Sequence, residues 1–347
     1  MQALVLQAYH QLVFQDVPQP DIGPHDVLIR VRACGICGSD VHGLDGSSGR
    51  RIPPIIMGHE AAGEIAALGS AVSDWQVGER VTFDSTIYCG HCHFCRQGLI
   101  NLCDHRRVLG VSCAEYRQHG ALAEYVAVPQ HILYRLPEAV SFEQAAMVEA
   151  VSVALHAVSR PPLRLNDTAV VVGAGMIGLL VIQALRAAGC GTLIAVDLDP
   201  ARLALAQQLG ADLALRSDVD DVIAHVHMLT AGRGADLAFE VVGHPSTFNL
   251  ALSSLRKGGA LTMIGNLTPY VDLPLQAAVT RQITLYGSCA SCGEYPAALE
   301  MIARGRINVD ALISAVAPLA EGASWFKRLY NREPGLMKVI LQPSPAA

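Results

Sequence analysis

Val170-Val171-Val172-Gly173-Ala174-Gly175-Met176-Ile177-Gly178 is the stretch on which the reading of the fold turns. A β-branched apolar run ends in a G-x-G-x-x-G turn. In such a turn Gly173 permits the tight bend, Gly175 lets backbone approach a pyrophosphate, and Gly178 lets a helix pack close to the strand. The helix that opens at Met176 and Ile177 presents unpaired N–H groups and a positive dipole end to phosphate oxygens. Glycine-rich turns alone are common, and it is the context that makes this one specific. Asp197 closes the next apolar run, where a carboxylate accepts from ribose hydroxyls. A carboxylate there repels a 2′-phosphate, so NAD is expected over NADP, with nearby Arg202 as the opposing cation.

Outward from this turn the rhythm persists. Apolar runs at 169–172, 192–196, 237–242, 260–264 and 283–286 alternate with segments of helical period. Parallel strands covered on both faces need no polar alternation, so these runs suit a buried parallel sheet. The segment 200–210 has proline at a helix start and glycine just past its end. Alternation of this kind predicts a doubly wound α/β domain over residues 156–290. Residues 1–155 read instead as short strands at 27–31, 63–67, 80–83 and 123–128, separated by Gly, Pro and Asp. After 290 a helix over 295–304 and a strand over 337–341 are expected, then a frayed tail over 343–347.

Composition limits the function classes. The 347 residues are 51% hydrophobic and 16% charged, which supports a buried core and argues against disorder. A net charge of -6 gives no basic footprint for nucleic acid or membrane. The first residues lack the basic and long apolar regions of a secretory signal. The longest apolar run, 168–182, is broken by three glycines and falls short of the roughly 18–20 residues of a membrane span. A cytoplasmic protein is therefore expected, and in a reducing compartment clustered cysteines bind metal more often than they pair.

Ten cysteines fall into a pattern. Cys89-x2-Cys92-x2-Cys95-x7-Cys103 puts four thiolates in one short loop. Such spacing converges on a tetrahedral Zn²⁺ and closes its shell, which suits a structural ion; an iron–sulfur cluster is the chemical alternative. His91 and His93, between the ligands, read as exposed loop residues. A dispersed set, Cys37, His59, Glu60 and Glu149, has the mixed donors of an open zinc site. Spacing alone leaves Cys34 and Cys37 equally open as a C-x-x-C redox pair.

Gly58-His59-Glu60-Ala61-Ala62-Gly63, followed by Gly69 and Val72, resembles the zinc signature of the medium-chain alcohol dehydrogenase family. The four-cysteine loop and the dinucleotide fingerprint stand in that family's order, so the resemblance runs through the whole chain. It implies a GroES-like β-rich catalytic domain in two segments, 1–155 and 291–347, around a Rossmann coenzyme domain, with the active site in the cleft between domains. It implies two zinc ions per chain: a structural one on Cys89, Cys92, Cys95 and Cys103, and a catalytic one on Cys37, His59 and either Glu60 or Glu149. Glu149 resembles the glutamate of the sorbitol (polyol) dehydrogenase branch, although Ala150 stands where that branch has proline. Asp40 resembles the carboxylate that orients the zinc histidine, Ser39 the relay hydroxyl and His42 the outer imidazole that passes the proton to solvent. Ile264, Gly265 and Cys289 join the expected coenzyme contacts, and His156 is expected to be structural.

The implied reaction is hydride transfer from a secondary alcohol, a polyol or sugar derivative, to NAD. Sorbitol dehydrogenases carry a tyrosine where this chain has Gly43, and Phe-Arg-Tyr where it has Cys289-Ala290-Ser291, so sorbitol itself does not follow. Arg50 and Arg51 either recognise a phosphate or carboxylate or form a solvated loop. Sugar-acid, polyol-phosphate such as galactitol-1-phosphate, and L-threonine dehydrogenases share much of the pattern. An inactive zinc- and NAD-binding scaffold is the non-enzymatic alternative. A homotetramer or homodimer is implied by the resemblance alone.

Overall fold

A computed structural model describes residues 1–343 of the chain. It resolves into two compact units. One takes Met1–Glu149, Tyr295–Arg304 and the chain from Val309 on; the other takes Ala150–Glu294 with Gly305–Asn308. No helix among the described residues is long and apolar enough to cross a membrane.

The second unit carries six parallel strands. Counted in chain order they are Thr168–Val172, Thr192–Asp197, Leu213–Arg216, Ala235–Glu240, Leu255–Met263 and Thr284–Gly287, and in space they run 3-2-1-4-5-6. This is the order of the doubly wound dinucleotide fold, whose ligands bind outside the carboxyl ends of the strands where the order reverses. Val170, Val172, Ile194, Val196, Ala238 and Leu261 form its core, which explains why the runs show no polar alternation. The run read over 237–242 stops as a strand at Glu240. There the Glu240 carboxylate accepts from the N–H groups of Val242 at 3.0 Å and Gly243 at 2.8 Å, and from Thr247 Oγ1 at 2.7 Å. Those bonds turn the backbone out of the ladder. The strand Leu213–Arg216, too weakly apolar to stand out in the sequence, completes the first edge.

The first unit is β-rich. Its main sheet places Asp26–Gly35 at the centre, paired with Glu60–Leu68, Tyr125–Pro129 and the C-terminal strand Lys338–Gln342. A strand from the late part of the chain thus pairs with one from the early part in a single sheet. A smaller sheet joins the hairpin Gln2–Ala8 and Gln11–Asp16 to Ile55–Ile56. Leu4, Leu6, Ile29, Ile65, Phe83 and Phe326 fill the core of this unit. The tail read over 343–347 lies, from residue 344, outside the described residues.

Candidate active site and metal centres

Strand register gathers the first site. Gly35, near the end of the central strand, stands opposite Glu60 on one side and Ile340 on the other. The chain then turns into the short helix Gly38–Gly43 with Cys37 at its N-cap. Cys37, His59, Glu60 and Lys338 therefore meet at one end of three neighbouring strands. One donor atom each from Cys37, His59 and Glu60 lie within 4.8 Å of one another. A Cβ at Gly35 would stand 2.5 Å from Glu60 Oε2, so only glycine leaves room for that carboxylate.

The electrostatics of the cluster call for a cation. Asp40, wholly buried, accepts from Arg51 Nε at 3.2 Å and Nη2 at 2.8 Å on Oδ1, while Oδ2 lies 3.5 Å from His59 Nδ1. Burial works against a carboxylate, yet His59 and Arg51 hold Asp40 well below the usual range. Burial also works against a charged imidazole, but Asp40 and then Cys37 push His59 well above its ordinary value. Asp40 Oδ2 and His59 Nδ1 are buried and face each other, and Glu60 Oε1 is buried without a hydrogen-bond partner. Three acidic or thiol groups around one imidazole, with a carboxylate oxygen orphaned, fit a divalent cation.

Of the two candidate carboxylates, Glu60 is the one inside the group. Its Oε2 pairs with Lys338, whose Nζ also donates to the Ile36 carbonyl at 3.1 Å. Both side chains are 1% exposed. Burial lowers the Lys338 ammonium, but Glu60 and Cys37 outweigh it and its pKa is raised. Glu149, in the first turn of Val148–Ser159, accepts from Ser85 Oγ at 3.4 Å. Burial raises its carboxyl, His59 lowers it and Glu60 raises it, so it shares the field of the cluster without lying within the ligand group. Ser39 and His42 are exposed on the short helix that also carries Asp40.

Two readings change. Cys34 sits wholly buried in the central strand, and burial, followed by Asp40 and Glu60, raises its thiol far above the reactive range. It is a packed core group and not half of a ready dithiol. Arg50 and Arg51 part company: Arg50 is exposed, whereas Arg51 is 3% exposed and committed to Asp40. Arg51 is thus neither a solvated loop residue nor a free anion-binding group.

The second cluster is local. The sulfurs of Cys89, Cys92, Cys95 and Cys103 lie within 4.8 Å of one another. Backbone N–H groups aim at them: Cys92 at Cys89, Cys95 at Cys92, and both Cys89 and His105 at Cys103, at 3.3–3.5 Å. The Cys95 N–H helps hold the Cys92 thiol down at about 6, while burial and its neighbouring thiols push Cys95 up to about 12. Thiols this close cannot all ionise without a cation, which a tetrahedral ion supplies. His91 and His93 are exposed.

The glycine turn has the shape of a phosphate cradle. Gly173 has φ +104°, and a Cβ at Gly178 would stand 1.8 Å from the Gly173 carbonyl oxygen. At Gly175 a Cβ would meet only Arg202 Nη1, 4.0 Å away, so the space in front of Met176 and Ile177 is open. Asp197 ends its strand, accepting from the N–H of Ala174 at 2.7 Å on Oδ2 and of Leu198 at 2.8 Å on Oδ1. Arg202 lies 3.6 Å from Asp199. Ile264 and Gly265 both donate to the Glu240 carbonyl, and Cys289 is exposed in the loop after Thr284–Gly287. All of these stand at the carboxyl ends of strands in one sheet. In the same unit His156 pairs with Glu294 at 2.8 Å.

Comparison with known proteins places this architecture. Residues 23–138 match the alcohol dehydrogenase GroES-like domain, and residues 177–304 match the zinc-binding dehydrogenase family. The chain belongs to the zinc-dependent medium-chain alcohol dehydrogenases. The dehydrogenase is 34% identical to a sorbitol dehydrogenase of Bacillus subtilis, covering 99% of this chain and 98% of that one. It is 33% identical to a D-arabitol-phosphate dehydrogenase of Enterococcus avium, over 97% and 95% of the two chains. Among solved structures, alcohol dehydrogenase TADH from Thermus sp. ATN1 superposes with a TM-score of 0.93 at 31% identity, over 99% and 100% of the chains. Sequence motifs miss two groups of the dehydrogenase's site, Arg51 and Lys338. The signal for Lys338 was available: a lone cation beginning the otherwise apolar run Val339-Ile340-Leu341.

Proposed function

We propose that this dehydrogenase oxidises a secondary alcohol of a neutral polyol or sugar derivative to the ketone, with NAD as hydride acceptor and two zinc ions per chain. The convergence of Cys37, His59 and Glu60, with Glu60 Oε1 buried and unpartnered, carries the proposal. A zinc ion held there by Cys37, His59 and Glu60 or Glu149 supplies Lewis acidity to the alcohol oxygen. The chain's own residues do the rest. Asp40 faces the His59 ring nitrogen, and Lys338 pairs with Glu60 Oε2 and holds that carboxylate in place. Ser39 and His42, exposed along one short helix, carry the proton outward. Cys89, Cys92, Cys95 and Cys103 hold the structural ion.

NAD rests on Gly173, Gly175 and Gly178, with pyrophosphate on the N–H groups of Met176 and Ile177 and ribose on Asp197; Ile264, Gly265 and Cys289 line the nicotinamide end. Residues 156–290 are the coenzyme domain. A neutral substrate is favoured because Arg51 is committed to Asp40, which leaves Arg50 as the exposed guanidinium of that pair. The enzyme works in the cytoplasm, where its thiols stay reduced. A homo-oligomer is supported by the open edge strand Thr284–Gly287 and by the exposed apolar segment of Tyr270, Leu275 and Val279.

Metal counting by mass spectrometry tests the centres. Two zinc ions per chain are expected, and a single one means that the Cys37 site is misread. Asp197→Ala tests the coenzyme. Loss of a charge-assisted bond to ribose should lower kcat/KM for NAD by roughly 10–100-fold and leave NADP nearly unaffected. An unchanged ratio of the two removes Asp197 from coenzyme choice.

A further inference from the structure

Arg51 has a place in the site that no motif assigns. It enters beside the short helix, its backbone pinned to Ser112: Ser112 donates to the Arg50 carbonyl at 3.2 Å and Ile52 donates to the Ser112 carbonyl at 3.0 Å. Its stem passes over Gly43, where a Cβ would stand 2.2 Å from Arg51 Cγ and 3.0 Å from Arg51 Cβ. The guanidinium then makes four bonds. Nε and Nη2 both reach Asp40 Oδ1, Nη1 donates to the Arg50 carbonyl at 2.9 Å, and Nη2 donates to Ser39 Oγ at 3.3 Å. Because both bonds to Asp40 fall on one oxygen, the other is left facing His59 Nδ1.

We propose that Arg51 is a positioning residue of the catalytic centre, admitted by the glycine at 43, which orients both the metal-binding histidine through Asp40 and the relay hydroxyl of Ser39. A guanidinium this buried is tolerated only where paired acceptors offset its desolvation. Its bond to Ser39 also sets a direction. A hydroxyl has two acceptor sites and one hydrogen. With Arg51 on one acceptor site, the other is left for the substrate alcohol, and the Ser39 hydrogen points to an outward acceptor. The space that a side chain at position 43 would take is filled in this chain by the stem of Arg51.

The inference rests on reading Cys37 and His59 as zinc ligands. The experiment follows release of each zinc to a chelator, with kcat and NAD affinity, in the holoenzyme and in Arg51→Met, Arg51→Lys and Gly43→Ala. Loss of an outer partner of a metal ligand typically costs 10–100-fold in affinity or activity. In Arg51→Met the catalytic zinc should leave about 10–100-fold faster and kcat should fall by a similar factor, with the four-cysteine zinc and NAD affinity unchanged. Gly43→Ala should reproduce this effect by displacing Arg51, the double variant should be no worse than the worse single one, and Arg51→Lys should recover part of it. Release within twofold of the native enzyme in both Arg51→Met and Gly43→Ala overturns the proposal. So does equal acceleration of both zincs, which marks a general structural role. A native chain holding one zinc refutes the ligand reading instead.

Discussion

Cys37→Ser should lower kcat/KM for the alcohol by at least about 10³, remove one zinc per chain and leave the fold in place. Cys37 is at the N-cap of a six-residue helix and carries no part of the core, so removing its sulfur leaves the surrounding sheet packed. The thiolate is the soft, charged donor of the group; a serine hydroxyl stays protonated and binds zinc poorly. Without the ion the alcohol keeps its ordinary acidity, and Ser39 and His42 have no developing negative charge to relieve. Far-ultraviolet circular dichroism, metal content and NAD dissociation constant separate this outcome from unfolding. The dichroism spectrum and NAD affinity should match the native enzyme. A variant that retains both zinc ions, or turns over within tenfold of the native rate, contradicts the assignment of Cys37.

Lys338→Met should destabilise the protein by about 3–5 kcal/mol, because it leaves the Glu60 carboxylate buried without its partner. Both groups are 1% exposed and neither can reach water. Removing the ammonium also frees the Ile36 carbonyl that it satisfies. The comparison that isolates the cause is the double variant Lys338→Met with Glu60→Gln. With the charge gone from both sides it should recover a substantial part of the loss, the coupling expected of a desolvated pair. Urea denaturation of the zinc-loaded protein gives both values. A loss under about 1 kcal/mol for Lys338→Met, or a double variant worse than the sum of the singles, removes the pair from the stability of the site.

Much of this molecule was legible in its sequence, for physical reasons that differ between elements. The parallel sheet showed itself because strands covered on both faces must be apolar at nearly every position, as at Val170-Val171-Val172. The phosphate turn showed itself because Gly178 has the Gly173 carbonyl where a side chain would be. The four cysteines were visible because their ligand spacing is local. Legibility failed where a contact depends on tertiary approach. Glu60 and Lys338 are far apart in the chain and meet only because the last strand pairs with the central one. Arg51 reads as half of a surface pair with Arg50 until the backbone is placed; then one side chain turns inward over Gly43 and the other stays in water. Glu240 ends its strand early through bonds to Val242 and Gly243 that no hydrophobic period registers.

The measurement that bears most directly on the function is the initial rate of NADH formation by zinc-replete protein across neutral polyols, their phosphates, sugar acids and threonine, repeated with NADP. A neutral polyol with a secondary alcohol should give the highest kcat/KM, with NAD favoured over NADP. Failure of every compound to reduce either coenzyme, with two zinc ions bound, contradicts the proposed reaction.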